Sequence, residues 1–169
     1  MENNFIYLDL DSYLRQWLIH EHGGEEPVKM LRGSIENDVI QTYISRKPEG
    51  WVPVVTDQTV RIVIPRDKRK NPHTWCYLGV RPLQALKALI KQRFDAQFMM
   101  EVIRLLNKSR ELKMQLIYAF MEKHGIEDTE TNYNTLAKIC QRKVDDLKRS
   151  ERAEAARKKR NREKMGGRR

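Results

Sequence analysis

Residues 81–106 read RPLQALKALIKQRFDAQFMMEVIRLL, and this stretch decides the fold. Leu83, Leu86, Ile90, Phe94, Phe98, Val102 and Leu106 recur at steps of three or four, the spacing that lines one face of a helix. Pro82 suits a first helical turn, where its missing N–H has no intrahelical partner. After Asn107-Lys108-Ser109 a second helix is expected, carrying Leu112, Leu116 and Phe120, with Ser109 as its N-cap and Gly125 just past its end. A third follows Glu127-Asp128-Thr129, with Leu136, Ile139, Cys140, Val144 and Leu147 turned inward. The region from Arg81 to Leu147 therefore reads as helical, its last two members forming a helix-turn-helix-like pair.

The preceding residues change period. Phe5-Ile6-Tyr7-Leu8 and Leu10 form an almost continuous apolar run, as in a buried strand. Asp11 can cap a helix to His22 that turns Leu14, Trp17 and Leu18 to one side and stops at Gly23-Gly24. Val28 to Leu31 reads as a short strand. Ser34 opens a helix whose Ile35, Val39, Ile40, Tyr43 and Ile44 make a stripe, ended by Pro48 and Gly50. Trp51–Val55 and Thr59–Ile64 are rich in β-formers, and Val60, Ile62 and Ile64 alternate around Arg61. Pro65 closes that run and Thr74–Leu78 resumes one, so a β-hairpin with a basic loop at its tip is expected. The fold class is α+β: an αβ portion with the hairpin over 1–80, a helical portion over 81–147, and a basic tail over 148–169 that is either flexible or a solvated helix, since Ala153, Ala155 and Ala156 favour a helix but nothing gives it a face to bury.

Charge is the most informative bulk property. The chain has 169 residues and a net charge of +10. Residues 1–57 carry 5 basic and 10 acidic side chains, 58–94 carry 9 and 1, 95–147 carry 8 and 9, and 148–169 carry 11 and 3. Two basic blocks thus flank a near-neutral helical segment, and such blocks concentrate and steer polyanions. No run approaches the roughly 18 apolar residues of a membrane span. The acidic Met-Glu-Asn-Asn start lacks the basic, then apolar, pattern of a signal peptide. Two cysteines, Cys76 and Cys140, make no disulfide framework, and a reducing cytoplasm is expected.

Three elements have the chemistry for nucleic acid. If the third helix packs through its apolar stripe, Asn134, Thr135, Lys138, Gln141 and Arg142 face outward, the residue types that read base edges in a major groove. Asp145 and Asp146 count against close phosphate approach. The loop residues Arg66, Lys68, Arg69, Lys70 and His73, followed by Trp75 and Tyr77, can grip a phosphate backbone. Arg157, Lys158, Lys159, Arg160 and Arg162, with Lys164, Arg168 and Arg169 beyond, form a cluster suited to salt-dependent binding. DNA is expected ahead of RNA, and the acidic residues 1–57 are a possible surface for a protein partner.

Catalytic and metal patterns are sparse. Phe5-Ile6-Tyr7-Leu8-Asp9-Leu10-Asp11 is an apolar strand ending in D-x-D, and two carboxylates at that spacing can hold Mg²⁺. This short stretch resembles the first motif of haloacid-dehalogenase-type phosphatases and the opening of some polymerases. The resemblance implies Asp9 as nucleophile or metal ligand and Asp11 as acid/base group. Those families also need a later basic residue and a further acidic cluster on a large parallel sheet, and the strands here are too few. The plainer reading makes Asp11 a helix cap and Asp9 a polar strand end. His20 and His22, two apart on a helix, point in different directions, while His73 and His124 stand alone as surface or cap residues. Neither cysteine has a partner at zinc-ligand spacing. The expectation is a non-enzymatic, regulatory or accessory nucleic-acid-binding protein without metal or cofactor. Its rivals are a protein-interaction adaptor with an RNA-contacting tail and a Mg²⁺-dependent phosphoryl-transfer enzyme.

Overall fold

A computed structural model describes residues 5–65, 67–103, 105 and 113–166, with side chains as far as Asn161. Among these the chain is mixed α+β, with five helices and two small two-stranded sheets. The elements are β1 (Phe5–Asp9), α1 (Ser12–Glu21), α2 (Ile35–Tyr43), β2 (Ser45–Arg46), β3 (Thr59–Val63), β4 (Trp75–Tyr77), α3 (Val80–Phe98), a π-helical turn (Met99–Ile103), α4 (Lys113–Lys123) and α5 (Glu130–Gly166). Two compact units result. One comprises residues 1–97 and 121–128, the other 98–120 and 129–169. No helix among the described residues is long and apolar enough to cross a membrane.

In the first unit, β1 pairs antiparallel with β3, with Ile6 opposite Ile62 and Leu8 opposite Val60. All four are buried, so the alternation expected around Arg61 holds. The expected hairpin does not form: β3 pairs with β1, and β4 pairs instead with β2. Backbone hydrogen bonds give the reason. The other edge of β3 is taken by Val28, whose N–H donates to Arg61 O and whose carbonyl accepts from Val63 N, both at 2.8 Å. With both edges filled, β3 has no free ladder for the strand that follows it in the chain. The run expected as a strand over Val28–Leu31 shrinks to this one bridge. Trp51–Val55 also forms no strand, and Val52 and Val54 are 74% and 78% exposed.

The helices follow their expected faces more closely. α1 buries Tyr13, Leu14, Trp17 and Leu18, and α3 buries Leu86, Ile90, Phe94 and Phe98. Phe94 meets Tyr13 and Trp17 edge-on, with ring centroids at 5.1 and 5.5 Å. This aromatic cluster centres the first unit's core, and burial raises the Tyr13 phenol to about 12, helped by the charges of Asp11 and Asp95. Ser34 caps α2, its Oγ accepting from Asn37 N at 3.2 Å. The α2 stripe is only half realised. Ile40 and Ile44 are buried, but Ile35 and Tyr43 are exposed and Glu36 is buried in their place. Arg93 Nη1 reaches the Glu36 carboxylate at 3.1 Å, and that partner is what lets a charge go inside.

The second unit buries Val102, Ile103, Ile117, Leu136 and Cys140, and Phe98 meets Phe120 edge-on at 5.0 Å. In the π-helical turn, whose hydrogen bonds run i→i+5, the adjacent Val102 and Ile103 are both buried. Tyr118 of α4 stacks on Tyr133 of α5 (4.8 Å, 12°), and Lys113 Nζ donates to Gln141 Oε1 at 3.1 Å. These two contacts join α4 to α5, the pair read from the sequence as helix-turn-helix-like. Leu106, Ser109 and Leu112, with the cap expected at Ser109, lie outside the described residues. α5 continues without interruption to Gly166, through the segment read from composition as a tail.

Candidate nucleic-acid interface

α5 starts where Thr129 accepts the Asn132 N–H on its Oγ1 at 3.2 Å, an N-cap bond. Leu136 and Cys140 fix the packed side of the helix, and burial pushes the Cys140 thiol pKa up, partly offset by Lys113. Asn134, Lys138, Gln141 and Arg142 are exposed and Thr135 is half-exposed, so the outward face predicted from the sequence is the outward face of the structure. Two of these five side chains are already engaged. Thr135 Oγ1 donates to Thr131 O at 2.8 Å, and Gln141 Nε2 donates to Asp145 at 3.0 Å while its oxygen accepts from Lys113. Asn134, Lys138 and Arg142 are the more available side chains of this face.

Beyond Leu147 no side chain through Asn161 is buried. Helical geometry sorts the charges there. Arg149, Arg152, Ala153, Ala156 and Arg160 recur at the steps of one face. From Arg142 to Arg160 is about five turns, or roughly 27 Å, so the two arginines lie over one another on the side opposite Leu136 and Cys140. The sequence clusters at Arg157–Arg160 pointed to this segment but not to Arg149 and Arg152, whose signal is their helical spacing with Arg160. Asp146 holds Arg149 at 3.5 Å and Glu154 holds Lys158 at 2.6 Å, both in exposed pairs of low energetic weight. Arg157, Lys159 and Arg160 are exposed. The side chain of Arg162, and Arg168 and Arg169, lie outside the described residues.

The basic loop of the first unit is tighter than its composition suggests. Asp67 Oδ1 accepts the Arg69 N–H at 2.8 Å, and Asn71 Oδ1 accepts the His73 N–H at 3.0 Å, each a side chain closing its own turn. Lys68 and Arg69 are exposed at the tip, whereas Arg66 lies outside the described residues. Lys70 turns back, its Nζ donating to Gln41 O and lying 5.5 Å from the centre of the Trp75 ring. The structure adds residues that sequence reading did not single out. Arg46 lies over Trp75 at 5.7 Å, Lys47 over Trp51 at 5.8 Å, and Trp51 meets Tyr77 edge-on. The pairing of β2 with β4 brings them together, a neighbour relation no local pattern contains. Half-exposed rings with cations on their faces are suited to both phosphates and bases.

The D-x-D pair is differently employed. Asp9 Oδ1 accepts from the hydroxyls of Thr59 and Thr56, pinning the end of β1 to the start of β3. Asp11 sits at the N-cap of α1 but makes no side-chain cap bond; its carbonyl accepts from Leu14 N and Arg15 N. No family model matches this chain, and neither does any curated protein or solved structure.

Proposed function

We propose that this chain is a small, non-enzymatic nucleic-acid-binding protein of the regulatory or accessory kind, acting on DNA in preference to RNA. The observation that carries the reading is the exposed arginine face of α5. A helix that continues well past its last buried side chain has no core to explain its length, and arginines on one side match it to a polyanion. Arg149, Arg152 and Arg160 would grip phosphates, while Asn134, Lys138 and Arg142 on the packed part of the same helix would supply any base preference. This assignment uses one helix face and needs no helix-turn-helix crossing. Lys68 and Arg69, with the Arg46–Trp75 and Lys47–Trp51 pairs, would add phosphate contacts in the first unit. Both cysteines are buried free thiols, as a reducing cytoplasm favours.

The test is duplex binding against salt concentration, comparing the full chain with one ending at Leu147. The full chain is expected to bind with an affinity that falls steeply as salt rises, and the shortened chain to lose most of that dependence. Equal affinity and equal salt slope for the two would remove the part of α5 beyond Leu147, with Arg149, Arg152 and Arg160, from the interface. No binding by either at low salt would end the nucleic-acid reading and favour a protein partner at residues 1–57.

A further inference from the structure

A second site lies in the first unit. His20 and Glu21 occupy the last turn of α1, and His124 directly follows α4. His124 Nδ1 is 2.9 Å from Glu21 Oε1, and His20 Nδ1 is 4.0 Å from the same oxygen. One ligand atom from each of the three residues falls within 4.8 Å of the others, and the two imidazole rings stand 6.3 Å apart at 81°. His124 is distant in the chain from His20 and Glu21, and two features hold them together. Gln16 Oε1 of α1 accepts the Glu127 N–H at 3.0 Å. Gly125, at φ +63°, ends α4 with Ile126 N donating to Met121 O at 2.9 Å, the bond of a Schellman turn. A Cβ at Gly125 would stand 2.6 Å from His20 Cδ2. The glycine therefore gives the turn its left-handed residue and the His20 ring its place beside His124.

We propose that His20, Glu21 and His124 bind one divalent transition-metal ion of the zinc class. Two imidazole nitrogens and one carboxylate oxygen are the ligand set that zinc takes in sites with an open fourth position, while calcium and magnesium prefer oxygen alone. Metal–ligand bonds of about 2.0–2.2 Å in a tetrahedron place ligands roughly 3.3–3.5 Å apart. The 2.9 and 4.0 Å separations bracket that spacing, and small side-chain rotations reach it. Burial is graded appropriately. His124 is nearly enclosed and anchors the site, whereas His20 is half-exposed and leaves a path for the ion and for a water ligand.

The experiment is calorimetric titration of Zn²⁺ into the chelator-treated full chain, with Co²⁺ absorbance as a second probe and melting temperature as a third. Expected are one ion per chain, a tetrahedral-type Co²⁺ band and a rise in melting temperature on Zn²⁺ addition. His20→Ala and Glu21→Gln, partly exposed and chosen to spare the buried His124, should each weaken Zn²⁺ binding at least about tenfold while far-UV circular dichroism is unchanged. His73→Ala, at an exposed histidine elsewhere, should bind as the parent does. Failure of the parent to bind, or binding by His20→Ala and Glu21→Gln equal to the parent's, overturns the site. Loss of binding in His73→Ala would do the same.

Discussion

Replacing Arg149, Arg152 and Arg160 together by alanine tests the arginine face with a number attached. Each phosphate neutralised by a bound cation contributes about −0.9 to the slope of log affinity against log salt on duplex DNA. If each of the three arginines meets one phosphate, the triple variant should have a slope shallower by about 2.7. Between 50 and 200 mM salt, the parent would then lose roughly 40-fold more affinity than the variant. Folding should not confuse the result. The three side chains are exposed, and the ion pair lost among the described residues, Arg149–Asp146, is 81% and 65% exposed at its two ends. Alanine also favours the helix at least as well as arginine. The assay is fluorescence anisotropy of a labelled duplex over a salt series, with circular dichroism confirming retained helix. A parent slope that persists in the variant, helicity intact, would refute the assignment of this face to phosphate contact.

Three further outcomes follow from the folded units. Phe94→Ala removes the ring that joins Tyr13 and Trp17 at the centre of the first unit. It should cost about 3–5 kcal/mol, read as a lower urea midpoint. Gly125→Ala forces alanine into a left-handed conformation and against the His20 ring. It should destabilise by at least about 1 kcal/mol in urea unfolding and shift the His20 imidazole resonances. His22 has its pKa lowered by burial first and by the neighbouring Arg93 charge second, although its bond to Lys29 O opposes this. The unfolded chain therefore takes up a proton at this residue more readily than the folded one. The contribution is fully present above the ordinary histidine value of about 6.5 and is lost as pH falls through the lower folded value. Melting temperature should drop on acidification below that point, and less so in His22→Gln.

The parts of the fold that were legible in the sequence are those whose partners lie within a few turns of helix. Leu86, Ile90, Phe94, Phe98 and Val102 are buried as their spacing requires, and Ser34 caps the helix it was expected to open. The π-helical turn was not legible, because a single inserted residue that turns Ile103 inward leaves the apolar pattern on either side intact. Strand pairing failed for a different reason. Val60 and Ile62 announce a half-buried strand but not which edge meets which neighbour, and Val28 and β1 occupy both edges, leaving none for β4. The Trp51–Val55 run shows the limit of composition. Its β-branched side chains satisfy a strand's preferences, yet no partner edge reaches it and the valines stay in solvent.

The two candidate sites divide along the same line. The arginine face of α5 is written in local spacing, although apolar periodicity overlooks it because the residues that recur are charged. Arg142, Arg149 and Arg160 fall on one side of the helix for the same geometrical reason that Leu136 and Cys140 fall on the other. The histidine site cannot be read this way. From the sequence, His20 and His22 compete for attention because they are neighbours, and helical geometry turns them apart. His22 Nδ1 goes to Lys29 O, while His20 meets a histidine more than a hundred positions later. What makes that meeting possible is Gly125, a residue legible as a helix end but not as the space for a ring. A local signal with a second, non-local use is therefore where sequence reasoning stops and coordinates are needed. Zinc titration and the arginine substitutions address these two layers separately, since removing the face of α5 leaves His20, Glu21 and His124 untouched.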